Sequence, residues 1–128
     1  MKTTLRLGYP PSTNLLYRYF RGRAVLSPAG RAYKALAADA ARQAGAEIIT
    51  GPVRLEVTLH AKKPLRKSSR PVRRIDLSNS LKVAEDSLSG ILYVDDNQTH
   101  EIVMNVGEPV PGGALVITVS QIFIGGEK

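Results

Sequence analysis

No cysteine occurs among the 128 residues, which removes disulfides and thiolate metal sites together, so any metal must be held by oxygen or imidazole. Histidine is nearly absent too, with two in the chain, and that leaves little scope for a zinc cage. Met1 to Pro11 lacks the apolar run of a signal peptide, and no stretch approaches the ~20 apolar residues that span a bilayer. A cytoplasmic protein without membrane partners is expected. Internal repeats and low-complexity tracts are also missing. What is present is enough for one core: 43% hydrophobic residues in a length that suits a single domain over residues 1–128.

The formal net charge is +7, which raises the local concentration of polyanions, nucleic acid being the commonest. The distribution of charge says more. Lys62, Lys63, Arg66, Lys67, Arg70, Arg73 and Arg74 follow one another with no acid between them. Two readings stand: a solvated loop, or a surface that contacts phosphate. The run leads directly into Asp76.

Taken in order, Thr3 to Gly8 reads as a strand with Leu5 and Leu7 on one face, closed by Tyr9-Pro10-Pro11. Ser12 to Arg23 has no clean period. Its tyrosines and its arginines, Arg21 and Arg23 among them, with Asn14 in the same segment, suit stacking on nucleic acid or packing over a sheet edge; for single residues packing is the expectation. Ser27-Pro28 starts a helix and Gly45 stops it, with Tyr33, Ala37, Ala40 and Ala44 on one stripe and Leu36 beside it. Pro52 to Ala61 alternates as a half-buried strand, Val53, Leu55, Val57 and Leu59 inward and His60 outward. The basic loop follows, broken by Pro64 and Pro71.

A second helix should run from Asp76 or Leu77 to Gly90, its core face Leu77, Leu81, Ala84 and Leu88. Ser78, Lys82, Glu85 and Ser89 run beside that stripe. Ile91 to Val94 reads as a short strand, Asp95-Asp96-Asn97 as a turn, and Gln98 to Val106 as a strand with Ile102, Met104 and Val106 on one face. Ala114 to Ile124 is the last strand. This order indicates an α+β domain, a mixed β-sheet with two main helices packed on it.

Asp76 at a helix start and Asp95-Asp96 at a strand end would gather carboxylates if the fold joins those ends. Mg2+ or Mn2+ takes such oxygen ligands, phosphodiester hydrolysis uses such ions, and Lys82 would meet charge developing on the phosphate. Each residue also has a plainer use. Asp76 serves as an N-cap, Asp95 and Asp96 as an Asx turn, and Lys82 with Asp86 as a surface pair at i, i+4.

Pro10-Pro11-Ser12-Thr13-Asn14 with Tyr17, then Arg21-Gly22-Arg23, then Ser27 to Gly30 with Ala32-Tyr33, form one group of short motifs. Asp76-Leu77-Ser78-Asn79 with Lys82 and Asp86, then Asp95-Asp96 and Gln98, form another. In this order and spacing the chain resembles the RusA-type Holliday junction resolvases over nearly its whole length. The resemblance implies a RusA-like homodimer, of bacterial or phage origin, that makes paired symmetric nicks in four-way DNA junctions with Mg2+ or Mn2+. It further implies Asp76, Lys82 and Asp96 as catalytic residues, Asp76, Asp96, Asp95 and Ser78 around the metal, and the basic run with Asn14, Arg21 and Arg23 on DNA. One position departs. The family usually carries a second aspartate where this chain has Ser78, which removes a unit of charge that would hold the cation, unless Asp95, Asp86 or Glu85 compensates. A junction-binding protein with weak or no chemistry is therefore the alternative. An RNA-binding or ribosome-associated basic domain is a more distant one.

Overall fold

The computed structural model describes residues 1–12, 15, 17–63 and 72–123. Asn14, Arg66, Lys67 and Arg70 lie outside the described residues, as does Ile124. In chain order the strands Lys2–Leu7 (β1), Tyr17–Phe20 (β2) and Arg23–Leu26 (β3) precede the helix Pro28–Gln43 (α1). Val53–His60 (β4) and the short strand Lys62–Lys63 (β5) precede the helix Arg74–Leu88 (α2). A 3-10 turn at Asp96–Gln98 opens into Thr99–Val106 (β6), followed by Val110–Pro111 (β7) and Ala114–Gln121 (β8).

The main sheet has the order β1-β8-β4-β6. β8 runs antiparallel to both β1 and β4, while β4 and β6 are parallel. A parallel pair needs a crossover, and α2 lies in that connection. The expected mixed sheet with two helices is what forms. α1 packs on β1 and on α2, and α2 packs on β4 and β6. Strand alternation then divides the sheet: Val53, Leu55, Val57 and Leu59 are fully buried beneath the helices with Leu115, Ile117 and Val119 of β8. Each such side chain contributes about 1.5–3 kcal/mol on burial. The opposite face is polar, where Arg54 pairs with Glu56 at 3.1 Å and with Glu101 at 3.3 Å.

α1 begins as its sequence dictates. Ser27 is the N-cap, its hydroxyl accepting from the Gly30 N–H at 3.0 Å, with Pro28 at the first position, and Gly45 follows the end at φ +66°. The buried stripe is Gly30, Tyr33, Ala37 and Ala41. Leu36 and Ala44 are exposed, because the i, i+4 row through Tyr33 selects Ala41. α2 starts at Arg74, with Arg73 as N-cap, so Asp76 stands at the third helical position. Its buried residues are Ser80, Val83, Ala84, Ser87 and Leu88, with Leu77 and Leu81 only half-buried. Small serines can face the sheet here because the Ser80 hydroxyl donates to the Asp76 carbonyl at 2.9 Å. At the other end Lys34 of α1 donates to the carbonyls of Asp86 at 3.2 Å and Ser89 at 2.7 Å, satisfying groups that a helix terminus leaves open.

Four stretches differ from expectation. Ile91 to Val94 is a turn rather than a strand: Tyr93 alone bridges to Ile49 and Ser89, since Gly90 at φ +81° reverses the chain too sharply for a ladder. Ile102 and Val106 are 47% and 54% exposed, because β6 is an edge strand and only Met104 of that face packs on the core. Lys62 and Lys63 are not loop but pair in parallel with Val110 and Pro111. Ser12 to Arg23 contains most of a β2–β3 hairpin, in which Tyr17 packs on the core and Tyr19 does not. No helix among the described residues is long and apolar enough to cross a bilayer.

Candidate active site

Asp76 opens the site. One of its carboxylate oxygens accepts from the Arg73 backbone N–H at 2.8 Å and lies 3.7 Å from the Arg73 guanidinium. A carboxylate in a first helical turn also meets the positive end of the helix dipole. The side chain is half-buried at the wall of a cleft of about 520 Å3 lined by Tyr9, Pro10, Ser12, Arg73, Ile75, Asp76, Ser78 and Asn79. Asn79 donates to the Pro11 carbonyl at 3.3 Å, fixing the far wall to α2. Tyr9 lies on Gly113, where a Cβ would come within 2.7 Å of its ring, and Lys62 Nζ stands 5.2 Å from the ring centroid. Burial, then the charge of Asp76, raises the Tyr9 phenol.

The Asp95-Asp96 turn is placed by Gln98. Its carbonyl oxygen accepts from the Val94 and Asp95 N–H groups at 2.7 and 2.9 Å, and its amide donates to the Ile49 and Gly51 carbonyls, both at 2.8 Å. Asp95 caps the 3-10 turn by accepting from the Asn97 N–H at 3.0 Å. That backbone bond is the first cause of its lowered pKa. Asp96 moves the other way, raised first by its hydrogen bond with Asp95 and then by repulsion from Asp95 and Asp86, with Lys82 opposing.

Asp96 is therefore within electrostatic reach of Lys82 and Asp86, in the C-terminal half of α2. Lys82 Nζ lies 3.3 Å from the Asp86 carboxylate, and the Tyr17 hydroxyl donates to that same carboxylate. Glu85 is raised by burial first and then by Asp96 and Asp86. The structure thus pairs Lys82 with Asp86 and leaves Asp96, next to Asp95, within electrostatic reach of Lys82, Glu85 and Asp86. Asp76 precedes Lys82 by six residues, about 9 Å of helix. Ser78 lies between them, exposed, four residues before Lys82 and seven before Glu85 on one helical stripe. Among the described residues no three of histidine, cysteine, aspartate and glutamate form a group able to hold a metal ion.

Of the basic residues, Arg73 lines the cleft, the exposed Arg74 follows it, the exposed Lys62 stands over the Tyr9 ring with Lys63 next to it, and Arg21 and Arg23 sit at the turn of the β2–β3 hairpin. Gln98 and Tyr17 enter the sequence motifs of the resemblance, Tyr17 also as a packing or stacking aromatic, but neither sequence context shows the anchoring contacts that they make here. The signal for Tyr17 was a lone tyrosine at the inward end of an aromatic-arginine run; its partner is 69 residues away and has no local signature.

Residues 8–120 match the family model described as Endodeoxyribonuclease RusA. The protein named Crossover junction endodeoxyribonuclease RusA from Escherichia coli strain K12 is 31% identical over 121 residues, covering 93% of this chain and 94% of that one. The protein of that name from Shigella sonnei is 31% identical over 121 residues with the same coverage. That of Enterobacteria phage 82 is 30% identical over 120 residues, 92% of this chain and 93% of its own. The chain belongs to the RusA endodeoxyribonuclease family.

Proposed function

We propose that this chain is a structure-selective endodeoxyribonuclease that resolves four-way DNA junctions by paired symmetric nicks, using Mg2+ with Mn2+ as a substitute. It acts as a single domain over residues 1–128 and as a homodimer, since two cuts need two sites. The observation that carries this reading is the cleft walled by Asp76 and Ser78 on the same helix as the Lys82–Asp86 pair, in a chain of the RusA endodeoxyribonuclease family.

The donor chemistry fits a hard divalent cation. Asp76, Asp96, Asp95 and Ser78 offer oxygen alone, the donor type that Mg2+ and Mn2+ prefer. Mg2+ keeps several waters and needs only one or two carboxylates with substrate phosphate, so a cage of three acids is not required. Bound there, the ion would supply polarisation of the phosphoryl group and activation of water.

The chain's own residues do the rest. Lys82, held by Asp86, presents an ammonium to the phosphate whose charge rises in the transition state. Arg73, Arg74, Lys62 and Lys63 contact the backbone and carry no base information, so the substrate is chosen by shape. The exposed outer edge of β6, with Ile102 and Val106, offers apolar surface to a second copy.

Ser78 favours a second reading, a junction-binding protein with weak chemistry, because its hydroxyl lines the cleft without charge. An end-labelled four-way junction and a linear duplex of matching arms separate the readings. Metal-dependent paired nicks in the junction alone support the enzyme; binding without nicks in either metal supports the second reading, and equal cutting of the duplex overturns structure selectivity.

A further inference from the structure

The β2–β3 hairpin carries aromatic surface that the fold does not use. Tyr17 at its base is half-buried, but Tyr19 and Phe20 are 83% and 60% exposed. Arg21 and Gly22, at φ 52° and 75°, form the kind of two-residue turn whose twist keeps a hairpin tight. The register sets Tyr19 across from Ala24 and Phe20 across from Arg23. Strand alternation puts Tyr19 on the face of Tyr17 and Phe20 on the reverse. Ala24 is too small to cover the Tyr19 ring, while the Arg21 guanidinium stands 5.3 Å from the Phe20 centroid. The hairpin thus offers a flat ring on each face, with Arg18, Arg21 and Arg23 exposed around them and no acid from Tyr17 to Leu26.

That combination selects its partner. A second copy or a lipid tail would cover the rings but strip water from three arginines. Nucleic acid meets both demands, bases on the rings and phosphates on the guanidiniums. In continuous duplex the base faces are already stacked; at a branch point the stack is interrupted, and an exposed base face costs least. We propose that Tyr19 and Phe20 stack on bases at the branch point of the DNA and so set where the cut falls relative to the branch. The proposal rests on the reading of the site as a junction endonuclease and names the part of the substrate that this hairpin holds. The geometry suits it. Tyr17 ties the hairpin base to Asp86, which holds Lys82, and Phe20 lies three residues further on, about 10 Å, or roughly three base-pair rises.

The test is photocrosslinking of the full chain, in chelator, to a four-way junction carrying 5-iodouracil either at the branch point or deep in one arm. Wild type is compared with Tyr19→Ala/Phe20→Ala and with Tyr19→Trp/Phe20→Trp. Crosslinks from the branch-point base that map to Tyr19 or Phe20, none from the arm, are expected. The alanine pair should lose them together with about tenfold or more in junction affinity, duplex affinity unchanged, and the tryptophan pair should keep both. Crosslinks of equal strength from the arm, or equal loss of junction and duplex affinity, would overturn the proposal. So would a loss of self-association by the alanine pair in sedimentation with crosslinks elsewhere, which makes the hairpin an interface between copies. Crosslinking needs no cleavage, so a wild type that crosslinks as expected but never nicks in Mg2+ sinks the enzyme reading alone.

Discussion

The Tyr17 hydroxyl donates to the carboxylate of Asp86 from 69 residues away, and Lys82 Nζ lies 3.3 Å from the same carboxylate. A residue of the hairpin and a residue of α2 thereby share one anchor. The Tyr17 phenol is pushed up to about 12, by burial first and then by the hydrogen bond and charge of Asp86. Its folded pKa exceeds the unfolded value near 10, so the folded state holds the proton more tightly. The stabilisation is complete below about pH 10 and is lost as pH rises through about 12. Burial raises Tyr33 and Tyr93 in the same direction. Urea midpoints measured from about pH 9 to about pH 12 should fall for wild type. For Tyr17→Phe they should start lower and fall less; an equal fall would mean that Tyr17 contributes nothing to the alkaline loss.

Gln98→Ala removes a side chain that makes four hydrogen bonds to backbone and leaves those groups to water. A cost of about 1–3 kcal/mol in unfolding free energy is expected. Nicking should fall further than the unfolded fraction accounts for, because the turn carrying Asp96 loses its hold on Ile49 and Gly51. Activity that tracks stability alone would deny the turn a positioning role.

Gly113 sits at φ +73° with the Tyr9 ring in the space of a missing Cβ. Gly113→Ala should therefore strain the backbone and displace Tyr9, costing about 1–3 kcal/mol by thermal melting and opening the cleft beside Asp76. Tyr9→Ala in the same assay shows how much of the effect on nicking passes through the ring.

Neutralising Arg73 and Arg74 together should flatten the dependence of log Kd on log salt by about one unit per lost phosphate contact. The slope is read by fluorescence anisotropy on a labelled junction. An unchanged slope removes these arginines from the interface.

What was legible in the sequence was whatever depends on neighbours along the chain. Ser27-Pro28 starts α1 because cap and ring act within one turn, and Val53 to Leu59 alternates because β4 has one buried face. The β2–β3 hairpin escaped because Tyr19 and Phe20 answer to no core, so they carry no inside-outside period. Ile91 to Val94 looked like a strand because Leu92 and Tyr93 are buried, yet they are buried beneath a turn. In the site, Asp76 was expected near a helix start and stands at the third position, where its carboxylate caps Arg73. The placing of the Asp95-Asp96 turn is tertiary, fixed by Gln98 reaching to Ile49 and Gly51, and no spacing announces it.

Nicking of a labelled four-way junction in Mg2+ and in Mn2+, by wild type, Asp76→Asn and Ser78→Asp, tests the central claim most directly. Paired symmetric nicks by wild type, none by Asp76→Asn, and faster cutting at lower metal concentration by Ser78→Asp are predicted, since a carboxylate there adds charge to the cleft that Asp76 lines. Nicks that persist in Asp76→Asn, or that need no divalent cation, would contradict it.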